Sequence, residues 1–123
     1  MVEDYPDNGE AAYSLGLLLV ETGQNQEALE WLARAVEVMP GNPRAIYNLG
    51  LLQQQEGLVE EAGRQLSRAL ELEPNELGYL HAWADYLIRS GRREEARPVV
   101  DRMVGLYPNE QIGQQLKALL SRE

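Results

Sequence analysis

The chain has no cysteine, a single histidine and no long apolar run. Without cysteine there is no disulfide framework and no thiolate metal site, and the redox compartment stays open, so cytosol and periplasm both remain candidates. The lack of a long apolar segment predicts a soluble unit with no transmembrane span and no signal peptide. Positive charge is scarce too: 11 Lys and Arg stand against 20 Asp and Glu, a net charge of −9. Nucleic-acid affinity rests on cations that displace counterions, so an acidic chain is a poor partner for phosphate backbones. GxSxG, HExxH and GxxxxGK patterns are all missing, which removes the usual nucleophile, zinc and nucleotide constellations, so no enzymatic activity and no cofactor are expected.

What the chain does have is a period. Pro40, Pro74 and Pro108 recur at an interval of 34, as do Gly23, Gly57 and Gly91, Ala28, Ala62 and Ala96, and the set Leu15, Leu49 and Trp83. A fixed period of this size means one supersecondary unit copied and stacked, because a single unit cannot bury its own apolar face. Each copy reads as two helices. In the second, Pro43 to Gln55 ends at Gly57 and Val59 to Leu72 ends before Pro74, with apolar residues three and four apart in both. The glycines fall where a helix C-terminus takes a left-handed residue, and the prolines lack the N–H that would continue the second helix.

Small residues suggest close packing. Gly16 and Gly50 lie inside first helices, with Ala84 at the equivalent place, and glycine there costs about 1 kcal/mol relative to alanine. Close approach of a neighbouring helix would offset that cost, with Ala28, Ala62 and Ala96, followed by Ala35 and Ala69, expected to supply the flat facing surface. A larger side chain at Ala62 should overpack by roughly 1 to 3 kcal/mol.

These positions together resemble the tetratricopeptide repeat. Its preferred residue types match Ala12, Leu15, Gly16, Leu19, Ala28, Leu32, Ala35 and Pro40 in the first copy. In the second they match Ile46, Leu49, Gly50, Ala62, Leu66, Ala69 and Pro74, and in the third Leu80, Trp83, Ala84, Leu87, Ala96, Val100 and Pro108. Gln53 departs where a large apolar residue is usual, Met103 where alanine is usual, and Pro98 is expected to start its helix late or bend it. The resemblance implies an all-α fold, a right-handed superhelical solenoid of antiparallel helix pairs with about seven helices. The expected organisation is a single domain over 1–123, with repeats at about 9–42, 43–76 and 77–110.

Residues 111–122 are expected to form a capping helix. Ile112, Leu116, Leu119 and Leu120 make one stripe opposite Gln111, Gln114, Gln115 and Arg122. The stripe is out of phase with the earlier first helices, which favours a cap over a cut fourth repeat. At the other end Pro6 precedes Pro40 by one period, and Tyr5-Pro6-Asp7-Asn8 resembles Tyr107-Pro108-Asn109-Glu110. Either the chain opens with the tail of another repeat, as a piece of a longer array, or its start simply has a turn there.

For function the resemblance implies a protein-interaction module whose concave groove is lined by first helices. Carried over, the lining is Tyr13, Leu17 and Val20, then Arg44, Tyr47, Asn48, Leu51 and Gln54, then His81, Asp85 and Ile88, each set at helical intervals. The alternative for Leu17, Val20, Leu51 and Ile88 is packing between neighbouring first helices. The family's clamp for acidic C-terminal carboxylates would need basic and amide residues where Tyr13, Leu17, Asn48, Gly78 and Ala82 stand, and only Asn48 fits. The groove therefore suits a peptide or helix with apolar anchors. The alternative function is a structural scaffold or self-association segment of a larger repeat protein. A weaker resemblance, through residues 77–85, is to repeat domains at the C-termini of bacterial multihaem cytochromes; no CxxCH is present, so no haem binding follows. His81 and Asp85 share a helix face, but a metal would need a further ligand, for which Asn48 is a poor choice. A solvated pair that shapes the surface is the better reading. Glu60, Glu61, Arg64 and Arg68 are expected to form a solvated outer face.

Overall fold

The computed structural model describes residues 8–122, so the Tyr5-Pro6-Asp7 stretch read as a repeat tail lies outside the described residues. The fold is all-α. Among the described residues seven helices run in order: α1 Gly9–Glu21, α2 Asn25–Val38, α3 Pro43–Gln55, α4 Val59–Leu72, α5 Leu77–Arg89, α6 Arg93–Leu106 and α7 Gln111–Leu120. No helix among the described residues is long and apolar enough to cross a membrane. The chain divides into two compact units, one ending at Leu72 and the other beginning at Glu73.

Local chemistry sets the turns. Gly23, Gly57 and Gly91 have φ of 80°, 86° and 78°. At each, the glycine N–H reaches back to Val20, Gln54 or Ile88, and the next residue's N–H reaches the carbonyl of Leu19, Gln53 or Leu87 at 2.8 Å. These paired bonds close a helix whose last carbonyls would otherwise lack donors. The residue after each glycine also begins the next helix, because the carbonyls of Gln24, Leu58 and Arg92 accept from Ala28, Ala62 and Ala96. One short turn thus ends one helix and starts its antiparallel partner. Asparagines cap two first helices: Asn8 Oδ1 accepts from the Ala11 N–H at 2.9 Å and Asn42 Oδ1 from the Ala45 N–H at 3.2 Å.

In the first unit α1 packs on α2 and α3 on α4, with α2 against α3. A Cβ built on Gly16 would lie 2.7 Å from Leu32 Cδ2, and one on Gly50 would lie 3.0 Å from Leu66 Cδ2. Close approach is therefore the reason for both glycines, but the facing surface is leucine rather than the alanines expected from sequence. Ala28 and Ala62 are fully buried one turn earlier, and the branched leucine beyond them reaches across.

In the second unit α5 packs on α6, and α6 carries α7. Helix α6 does not begin late. It runs unbroken from Arg93, one period after Val59, with Pro98 inside. Pro98 is exposed, and the carbonyl it deprives of a donor belongs to Glu94 in the helix's exposed first turn, so the proline is tolerated. The stripe on α7 turns inward: Leu120 is buried, Ile112, Leu116 and Leu119 are half-buried, and Gln111, Gln114, Gln115 and Arg122 are exposed. The Arg93 guanidinium donates to the Leu119 carbonyl at 3.0 Å, and Lys117 lies 3.6 Å from Asp101.

Arg68 departs from the expectation of a purely solvated charge. It is exposed, yet its guanidinium donates to the Pro40 carbonyl, tying α4 to the turn after α2. One period on, Arg102 donates to Asn75 Oδ1 at 2.7 Å.

Candidate functional site

First helices α1 and α3 carry the first unit's candidate residues. Three of them meet. Tyr13, 8% exposed, accepts through its hydroxyl from Asn48 Nδ2 at 3.0 Å. The same amide nitrogen donates to the Arg44 carbonyl at 2.9 Å, and the Arg44 guanidinium sits 5.4 Å from the Tyr13 ring centroid. A cation over an aromatic face and a hydrogen bond at its edge fix the ring from two directions. Tyr13 is thus a buried member of the core with Arg44 against its ring and Asn48 at its hydroxyl. Leu17, Val20, Tyr47, Leu51 and Gln54 are half-buried, neither sealed in the core nor fully solvated.

On α5 in the second unit, His81, Asp85 and Ile88 are also half-buried. The carboxylate of Asp85 turns to Arg89 rather than to His81: Arg89 Nε donates to both oxygens, at 3.0 and 2.9 Å. Both neighbours are four residues away, and the permanently charged guanidinium outcompetes an imidazole. Among the described residues no three His, Cys, Asp or Glu side chains gather as a metal site requires.

A further cluster escaped the sequence reading. Trp83 stacks on Tyr86, with centroids 5.3 Å apart and planes 10° from parallel. The Arg92 guanidinium lies 5.8 Å from the Trp83 ring centroid and donates to Glu95 at 2.8 and 2.9 Å. That hydrogen bond holds the Glu95 carboxyl below its ordinary range and raises Arg92 above its own. The i, i+3 spacing of Trp83 and Tyr86 was the available signal; the position of Arg92 depends on the tight turn at Gly91.

Paired antiparallel helices closed by a recurring glycine turn, with polar and aromatic side chains presented on the first helix of each pair, define a helical repeat protein. The chain belongs to the tetratricopeptide repeat family, whose model matches residues 19–84. A sequence search of curated proteins finds no match. Among solved structures, the chain is similar to YrrB, described as a tetratricopeptide repeat protein with an unusual peptide-binding site, at 27% identity and TM-score 0.80, over 90% of this chain and 57% of that one. It is similar in fold to MamA, at 20% identity and TM-score 0.88, over 97% of this chain and 70% of that one. It also shares the fold of the first repeat domain of Spaghetti (RPAP3), solved with the HSP90 peptide SRMEEVD, at 16% identity and TM-score 0.84, over 95% and 93%. The chain spans less than two thirds of YrrB.

Proposed function

We propose that this chain is a non-enzymatic protein-interaction module that takes a peptide or helix with apolar anchors along the first helices α1 and α3. The observation that carries the reading is the Tyr13, Asn48 and Arg44 junction. It holds α1 and α3 in a fixed relation while Leu17, Val20, Tyr47 and Leu51 stay half-buried, ready to lose their remaining solvent contact to a ligand. YrrB has a peptide-binding site and the RPAP3 domain holds a peptide, which supports a peptide as the ligand class.

An acidic peptide of the kind held by RPAP3 suits this chain less well. Asn48, the one residue that fits the carboxylate clamp, spends its amide nitrogen on Tyr13 and on the Arg44 carbonyl. Half-buried aliphatics and a tyrosine favour apolar side chains, with affinity near ~1 μM, about −8 kcal/mol.

Selection from a random peptide display library tests the proposal. Enriched sequences should share apolar anchors, and the Tyr47→Ala, Leu51→Ala variant should bind them at least about tenfold more weakly, about 1.4 kcal/mol, with an unchanged helical circular dichroism spectrum. Enrichment of sequences that end in acidic residues, or full binding by the double variant, would refute it.

A further inference from the structure

Residues 53 and 65 break the repeat's own pattern together. In the first copy the equivalent places hold Leu19 and Trp31, and in the third Leu87 and Val99; only the second has two glutamines. The structure brings the pair into one place. Gln53 of α3 and Gln65 of α4 line a cleft of about 580 Å³ together with Glu30, Arg34 and Glu37 of α2, over Leu49. Both Oε1 atoms are buried, and among the described residues no donor reaches either of them.

An amide oxygen withdrawn from water without a donor is unfavourable, and two at one cleft are not expected of a surface built only to pack. Apolar residues stand at both positions in the other copies. The terminal torsion of glutamine is broad and soft, so each oxygen can swing toward a donor in the cleft at little conformational cost. The ligand must donate to both oxygens, carry positive charge toward a lining in which Glu30 and Glu37 outnumber Arg34, and shed its hydration readily. A guanidinium meets all three conditions: five N–H donors in a planar fork, a permanent positive charge and weak hydration. An ammonium has fewer donors and is more costly to dehydrate. The chain's net charge of −9 draws cationic segments toward it.

We propose that the cleft between α2, α3 and α4 is a second binding site, which takes an arginine side chain of a protein partner. It is separate from the first-helix face and does not depend on the reading of that face.

The probe is the peptide acetyl-Gly-Arg-Gly-amide, compared with its citrulline and glutamate counterparts, with ¹H–¹⁵N spectra following the side-chain amides of Gln53 and Gln65. The arginine peptide should shift those signals saturably, and the citrulline peptide, neutral but of nearly the same shape, should bind at least about tenfold more weakly. Gln53→Leu, Gln65→Val, which restores the residues of the third repeat, should lose the binding by at least about tenfold. Gln53→Ala, a second variant, removes one amide without placing a new branched side chain in the cleft and should weaken binding in the same direction. Tyr47→Ala, Leu51→Ala should leave it unchanged. Equal binding of arginine and citrulline, tighter binding of glutamate, unaltered binding by the glutamine variants or no saturable shift with any peptide would each overturn the proposal.

Discussion

Replacing Gly16 by alanine should destabilise the protein, and replacing Leu32 by valine in the same molecule should restore it. A Cβ at position 16 falls 2.7 Å from Leu32 Cδ2 and 2.8 Å from Leu32 Cγ, well inside the 3.5 to 4.0 Å of ordinary carbon contact. Leu32 is fully buried, so it has little room to retreat. Overpacking of this kind costs roughly 1 to 3 kcal/mol, and the better helix propensity of alanine returns about 1 kcal/mol, leaving a net loss of ~1 kcal/mol. Leu32→Val alone removes one buried methylene and adds a slight β-branching penalty, for about 1 kcal/mol. Independent effects would sum to ~2 kcal/mol. The third repeat shows a different solution, with Ala84 and Val100 at the same two places and both buried: one carbon gained on the first helix, one lost on the second. The double variant should therefore lie near the wild type, a coupling of ~2 kcal/mol. Urea unfolding followed by helical circular dichroism would measure it, and thermal unfolding would show about 4 °C per kcal/mol for a chain of this size. Gly50→Ala should cost less than Gly16→Ala, since its new Cβ clears Leu66 Cδ2 by 3.0 Å. Additivity of the Gly16 and Leu32 changes within ~0.5 kcal/mol would refute the steric account.

Two further outcomes follow from the second unit. Deleting residues 111–123 strips α7 from α6 and removes the burial of Leu120, so stability should fall by at least ~2 kcal/mol and solubility with it; unchanged unfolding would reject the capping role. Arg92→Gln should return the Glu95 carboxyl toward its ordinary range, as read by NMR titration, because the Arg92 hydrogen bond is what lowers it. The sign follows: with a depressed carboxyl, the pair's contribution to stability is present above the ordinary carboxylate range and is lost as pH falls through the lowered value. A Glu95 titration unmoved by the substitution would place the cause elsewhere.

Backbone requirements were the most legible part of the sequence. A left-handed residue at Gly23, Gly57 and Gly91, and a stop at each proline, are local needs that no tertiary contact has to reveal, so the helix pairs could be placed from spacing alone. Side-chain partners across 16 or more residues depend on how helices cross. That is why Leu32, and not Ala28, turned out to face Gly16, and why the contacts of Arg44 and Asn48 with Tyr13 were not foreseen. Choices among equivalent neighbours were equally hidden: Asp85 has His81 one turn before it and Arg89 one turn after it, and spacing alone does not rank them. Pro98 erred in the other direction. Proline's local rule predicts a break, whereas the carbonyl it frees lies on an exposed first turn.

The same logic explains why departures from the period carry the most information about function. Every copy must meet the same turn, the same antiparallel crossing and the same burial of its apolar stripe, so residues that repeat are accounted for by the fold. A residue that breaks the pattern at a covered position needs another cause, and the sister copies act as controls within one molecule. Gly16, Gly50 and Ala84 pass this test, because Leu32, Leu66 and Val100 vary in compensation. Gln53 and Gln65 do not: among the described residues no donor reaches either amide oxygen, and both line an open cleft. Packing accounts for the first set of differences; for the second it offers no donor, and the proposed arginine side chain would supply one.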